Sequence, residues 1–155
     1  MNVDQIAKLK KISQQLRKSV IRELLAAGSG HSAGCLGFAD VMAVLYFHAM
    51  RLDPENPNWE DRDIFVMSNG HYAPLLYATL AERGFFDKKE LVNLRKFGSR
   101  LQGHPERGSL PGIETTSGPL GCGLSQAAGM AYSLQYLGGN SERFVYCSLG
   151  DGELD

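Results

Sequence analysis

From Asp4 to Ala27 the apolar residues Ile6, Leu9, Ile12, Leu16, Val20, Leu24 and Leu25 recur at three- and four-residue steps, the spacing of one helix face. Gly28 is placed to end that helix. A second helical pattern runs from Phe38 to about Met50, with Val41, Val44, Leu45 and His48 on one face, and stops before the loop from Pro54 to Trp59. Ile64 to Met67 is a continuous apolar run without alternation, as expected of a parallel strand covered on both faces. Ser68 and Asn69 then offer N-caps for a helix through Leu80, where Pro74 fits because it lies near the first turn. Asp87 with Glu90 three residues on has capping-box spacing before Leu91, Val92, Leu94 and Phe97, which predicts another helix. The small residues of Leu124 to Leu137 predict a tightly packed helix, and Phe144 to Leu149 a second buried strand ending at Gly150-Asp151-Gly152. Alternating helices and strands predict an α/β fold, a parallel sheet flanked by helices with right-handed crossovers.

Between Gly98 and Gly123 neither period survives, and seven glycines and three prolines fall in that stretch. A loop of this length inside a compact domain is uncommon unless it serves a function. Glycine is also the main deviation in composition, 18 of 155 residues, so the backbone must often turn sharply or approach something closely. Otherwise the chain has ordinary globular content, 43% hydrophobic and 21% charged, at a length that fits one domain. With 16 Lys+Arg against 17 Asp+Glu there is no bulk positive field for nucleic acid or an anionic membrane. No apolar run approaches the roughly 20 residues that cross a bilayer, and Cys35, Cys122 and Cys147 lack a pairing pattern. The expectation is a soluble, cytoplasmic protein with reduced thiols.

Several motifs carry chemistry only in the right context. Gly30-His31-Ser32-Ala33-Gly34 matches the G-x-S-x-G nucleophile elbow, but a long helix precedes it where a strand is required, which argues against a serine hydrolase. The same context and the glycine spacing argue against a dinucleotide fingerprint. The four histidines and three cysteines lack the local spacing of a structural zinc site. His48 is expected in the core on its helix face. His31, His71 and His104 differ, because each follows a glycine in a predicted turn. Asp151 follows a buried strand, so its side chain is expected in the crevice beyond the carboxyl end of the sheet, where ligands of open α/β folds bind. A carboxylate there suits magnesium, and its glycine neighbours let main-chain N–H groups approach a diphosphate.

Read in order, five blocks resemble the N-terminal, diphosphate-binding portion of transketolases, which some organisms make as a separate subunit. They are Gly30-His31-Ser32-Ala33-Gly34, Asp61-Arg62-Asp63 leading to Ser68-Asn69-Gly70-His71, Gly103-His104-Pro105-Glu106, Glu114 through Gly121, and Gly150-Asp151-Gly152. The similarity covers nearly the whole chain. Cys122 stands where many members have glutamine, and Ser32 and Cys35 occupy a segment that often contains proline.

The resemblance implies an enzyme that uses thiamine diphosphate and magnesium (or calcium) to move a two-carbon ketol unit between sugar phosphates. It implies that Asp151 ligates the metal, that Gly152 N–H and His71 hold the diphosphate, and that Gly118, Pro119 and Leu120 line the cofactor. It assigns His31 and His104 to the donor sugar as catalytic groups. The family completes its metal site with an asparagine beyond this sequence and binds the aminopyrimidine through a second domain. The chain is therefore expected to be one diphosphate-binding domain, 1–155, cut short at its C-terminal end and inactive alone. It would need a C-terminal transketolase subunit or domain, in a homodimer or a heterotetramer that covers its apolar surface. A 1-deoxyxylulose-5-phosphate synthase, disfavoured by Gly103-His104-Pro105-Glu106, and a non-catalytic binding module are the alternatives.

Overall fold

The computed structural model of the protein describes residues 1–138 and 142–154; Asp155, the last residue of the predicted domain, lies outside them. Helix α1 spans Val3–Ala27. It opens on a reciprocal cap in which the Asn2 side chain accepts from Gln5 N–H at 2.9 Å and Gln5 accepts from Asn2 N–H at 2.8 Å. Gly28 ends it at φ +66°, donating its N–H to Leu24 O. The buried stripe is Leu9, Ser13, Leu16, Ser19, Val20 and Glu23, whereas Ile6 and Leu25 are exposed. The period is the predicted one, but the polar residues Ser13, Ser19 and Glu23 occupy three of its inward positions. Ser13 is accounted for by contacts to Arg17 and Asp40, where Arg17 and the Asp40 carboxylate also pair at 2.8 Å and tie α1 to the next helix. The Arg17 hydrogen bond, followed by that from Ser13, holds the Asp40 carboxyl down at about 2.

Helix α2, Ala33–Val44, starts five residues earlier than predicted and runs on into a π-helical turn over Leu45–Ala49. Gly34 does not break it. That glycine lets the Tyr72 ring lie against the backbone, since a Cβ there would fall 2.0 Å from the ring. Cys35, Ala39, Met42, Ala43 and Tyr46 form the buried face, while Val41 and His48 are exposed. The core position expected for His48 is therefore wrong, because the buried stripe Cys35, Ala39, Met42, Ala43 and Tyr46 leaves the face that carries Val41 and His48 turned outward.

Strand β1, Ile64–Met67, pairs in parallel with β2, Val145–Ser148, in the register Ile64 to Val145 through Met67 to Ser148. Both strands fall within the predicted runs, although β2 is mostly half-buried and Phe144 beside it is exposed. Phe65 and Met67 join the main core built with α1, α2 and α3, Ala73–Arg83. Ser68, which follows β1 on the opposite pleat, meets helix α4, Cys122–Tyr132, so the strands lie between two helical layers. The α/β class with a helix-flanked parallel sheet is as predicted.

Three local expectations fail. Ser68 and Asn69 do not cap α3: a 3₁₀ turn over Gly70–Tyr72 intervenes, and both side chains are buried in other contacts. Residues Lys88–Asn93 form a 3₁₀ helix capped by Asp87, whose carboxylate accepts from Lys89 N–H, while Glu90 pairs with Arg100 at 2.7 Å; Phe97 is fully exposed. Helix α4 is not packed tightly. Only Gly123 and Ala127 are buried, and it continues as a π-turn through Ser133–Leu137 with Tyr136 and Leu137 exposed.

Candidate active site

The glycine-rich loop folds back so that three histidine turns meet. The main chain of Gly70, just before His71, packs so closely on the Ser117–Gly118 peptide that a Cβ at Gly70 would lie 2.9 Å from it. His104 sits over Gly118, where a Cβ would be 3.6 Å from the imidazole Cγ. Ser117 donates its N–H to Pro105 O at 3.1 Å, locking the His104 turn to the Gly118 segment. The His31 and His71 rings meet edge-on with centroids 5.2 Å apart, and His71 also meets the Tyr72 ring edge-on at 4.6 Å. His31, His71, His104 and Gly118, far apart in sequence, therefore form one cluster, with Pro119 and Leu120 exposed at its edge.

Burial lowers the His71 pKa, and the positive forms of His31 and His104 lower it further, against an opposing pull from Glu153. His71 thus stays a neutral imidazole near pH 7, with one ring nitrogen to donate and one to accept.

Asp151 and Gly152 lie in a 3₁₀ turn, Asp151–Glu153, at the carboxyl end of β2, as expected for a crevice position. Both are exposed, and a Cβ at Gly152 would meet nothing within 4 Å, so the turn is open to a ligand. Among the described residues no three His, Cys, Asp or Glu side chains form a metal cage. The donor set nevertheless fits a magnesium ion that takes few protein oxygens and completes its shell with phosphate and water. It offers one exposed carboxylate beside an open glycine backbone.

Sequence reasoning missed two residues. Glu153 accepts from Ser68 Oγ at 2.5 Å, Gly121 N–H at 2.9 Å and Gly150 N–H at 2.5 Å. Burial would raise its pKa, but Gly121, then Ser68, Gly150 and His71, outweigh this, and the net shift is downward. Its signal was legible, since Glu153 stands three residues after Gly150, the capping-box spacing already noted at Asp87 and Glu90. Tyr77, buried in α3, donates its hydroxyl to Gln102 O at 2.9 Å and sits 3.3 Å from His104 O, anchoring the His104 turn. An apolar helix gives no sequence signal for that role. Further back, Arg62 and Glu114 form a bidentate pair at 2.5 and 3.0 Å that joins the Asp61-Arg62-Asp63 block to the loop. The G-x-S-x-G match follows α1 directly, so no strand presents Ser32 as a nucleophile.

Residues 9–155 match the family model described as transketolase, thiamine diphosphate binding domain. The chain belongs to the transketolase family. It is 50% identical over 149 residues to the mouse transketolase, covering 94% of this chain and 23% of that protein. It is 41% identical over 140 residues to the 6-deoxy-6-sulfo-D-fructose transketolase subunit SqwG of a Clostridium strain, covering 90% of this chain and 50% of that one. Among solved structures, the transketolase of Leishmania mexicana matches with a TM-score of 0.85 at 37% identity over 94% of this chain and 23% of its own. That of Campylobacter jejuni matches with a TM-score of 0.86 at 35% identity. The chain thus spans about a quarter of the length of the full transketolases it matches, and it corresponds to their N-terminal, thiamine diphosphate-binding domain.

Proposed function

We propose that this domain serves a transketolase that transfers a two-carbon ketol unit from a ketose phosphate to an aldose phosphate, with thiamine diphosphate and a divalent metal. The observation that carries the reading is the convergence of His31, His71 and His104 on Gly118, on a chain whose Asp151-Gly152 turn lies open at the strand end. Thiamine diphosphate, when bound, supplies the carbanion stabilisation that a protein side chain cannot.

The chain's own groups bind, orient and move protons. Asp151 would hold magnesium or calcium through its carboxylate, while Gly152 N–H and a ring N–H of neutral His71 would donate to the diphosphate. Gly118 to Leu120 would line the cofactor, where the absent side chain of Gly118 permits close approach. His31 and His104 would hydrogen-bond the hydroxyls of the donor sugar, and a ring nitrogen of either would take or return a hydroxyl proton. We assign the pyrimidine-binding half of the site to a C-terminal transketolase subunit or domain. The exposed apolar face of α4 supports contact with such a partner in a homo- or hetero-oligomer. The relative named as a subunit supports the split arrangement, and the absence of a positive field and of thiol pairing fits a cytoplasmic setting.

The test is an assay of the domain with its partner, supplying either a ketose phosphate with an aldose phosphate or pyruvate with glyceraldehyde phosphate. Transfer between sugar phosphates is expected. Product only from the pyruvate and glyceraldehyde phosphate pair would instead identify a deoxyxylulose phosphate synthase, and no turnover from either pair would identify a non-catalytic module. Ketol transfer by the pure chain without a partner would contradict the need for one.

A further inference from the structure

We infer that Glu153 is a positioning residue of the cofactor site, its carboxylate locking the Gly150–Gly152 turn to the amino end of α4. The inference rests on the thiamine diphosphate reading above, which assigns the metal to one of these segments and the cofactor's lining to the other.

Hydrogen bonds to one carboxylate join the two segments. Gly121, the N-cap of α4, has no side chain with which to cap the helix, and it adopts φ +83°. Its N–H is satisfied from outside by Glu153 Oε1, and the N–H of Gly123 by Ser68 Oγ at 3.0 Å. Ser68 in turn donates to the same Glu153 oxygen, while Glu153 Oε2 accepts from Gly150 N–H. One carboxylate therefore joins the end of β1, the start of α4 and the turn that carries Asp151. Gly123 makes the joint close, since a Cβ there would lie 2.4 Å from the Ser68 side chain. Only a carboxylate suits the post. Glutamine keeps one acceptor oxygen and would turn an amide N–H₂ toward one of three donors. Since Leu120 sits one residue from Gly121 and Asp151 one residue from Gly150, slack at Glu153 would separate the contacts on which the cofactor depends.

The same donors would also suit an oxygen of the diphosphate, so a carboxylate that merely occupied the cofactor's place would make the opposite prediction. The native assembly is titrated with thiamine diphosphate and magnesium by calorimetry, as wild type, Glu153→Ala, Glu153→Gln and Ser68→Ala. Hydrogen exchange of segments 118–124 and 149–153 is followed in each. Glu153→Ala is expected to weaken cofactor binding roughly 10–100-fold, the usual loss for a group supporting a metal ligand. Glu153→Gln should lose less, and Ser68→Ala, which spares both main-chain bonds to Glu153 and gives up the one from Gly123, least. Exchange in both segments should quicken together while α3 keeps its protection. Unchanged or tighter binding by Glu153→Ala would overturn the inference, tighter binding meaning that the carboxylate competes with the diphosphate. Unchanged exchange in all variants would overturn it too. A wild-type assembly that binds no cofactor would overturn the thiamine diphosphate reading itself.

Discussion

The layer built by α1, α2 and α3 and the layer built by α4 cover the same pair of strands, and they are finished differently. In the first, Leu16, Val20, Met42, Leu75, Tyr77 and Leu80 are all fully enclosed within the chain. In the second, Leu124, Tyr132, Tyr136 and Leu137 stand in water, and Phe144 beside β2 is 61% exposed. The polar groups are arranged the other way round. Glu23 is buried in the first layer with neither carboxyl oxygen partnered, and burial pushes its pKa up to about 9. Glu153 at the edge of the second has three donors and is held below its ordinary range. Apolar closure and polar satisfaction are thus separate properties: the tight half carries the unsatisfied carboxyl, and the open half carries the satisfied one. The enclosed layer carries His31 and His71 at the starts of α2 and α3, while the exposed apolar face lies on α4.

That contrast can be broken or sharpened by substitution. Leu16→Ala, at a fully enclosed position, is expected to lower unfolding stability by about 2–5 kcal/mol in a denaturant titration. Gly123→Ala comes next. Its methyl would collide with Ser68, and overpacking of this kind is expected to lower stability by about 1–3 kcal/mol. It should also loosen cofactor binding, which Leu16→Ala should not. Glu23→Leu should stabilise the fold, by about 1–3 kcal/mol for removal of an unsatisfied buried polar group. The pH dependence has a fixed sign. The folded pKa is raised from the ordinary 4.5 to about 9, so the stability linked to the proton on Glu23 is complete below 4.5. It is lost progressively as pH rises to about 9. The gain from Glu23→Leu, followed by thermal melts, should therefore be larger at pH 8 than at pH 4, and an equal gain at both would contradict a buried, protonated Glu23. Smallest of all, Tyr136→Ala should change the stability of the domain by no more than about 0.5 kcal/mol, as for other exposed positions. A large loss in the assembly with none in the domain would locate the partner on that face.

How far the sequence led depended on which force set each feature. Both strands and α1 were readable because unbroken apolar runs and a 3.6-residue period mark strand and helix, although the second strand, expected to be buried, is mostly half-buried. The face of α2 was not, because apolar residues stand on both sides of that helix, and the buried one carries the small residues Cys35, Ala39 and Ala43 in place of Val41, so His48 was misplaced with it. Asp87 and Glu90 had capping spacing, but Arg100, ten residues away, drew the Glu90 side chain elsewhere. The histidine turns were legible as glycine-flanked positions; that they meet depends on backbone contacts such as Gly70 on Ser117, which no periodicity encodes. Glu153 has capping-box spacing only to Gly150, whereas its other two donors, Ser68 Oγ and Gly121 N–H, come from distant segments that no local spacing reaches.

The central claim is that the Asp151-Gly152 turn holds thiamine diphosphate through a divalent metal, and calorimetry of the native assembly tests it most directly. Saturable binding of the cofactor is predicted with magnesium, lost with a chelator and weakened by Asp151→Asn roughly 100-fold or more, as for removal of a direct oxygen ligand from a site with few of them. Equal affinity with and without the metal, or an Asp151→Asn variant that binds as the wild type does, would contradict it.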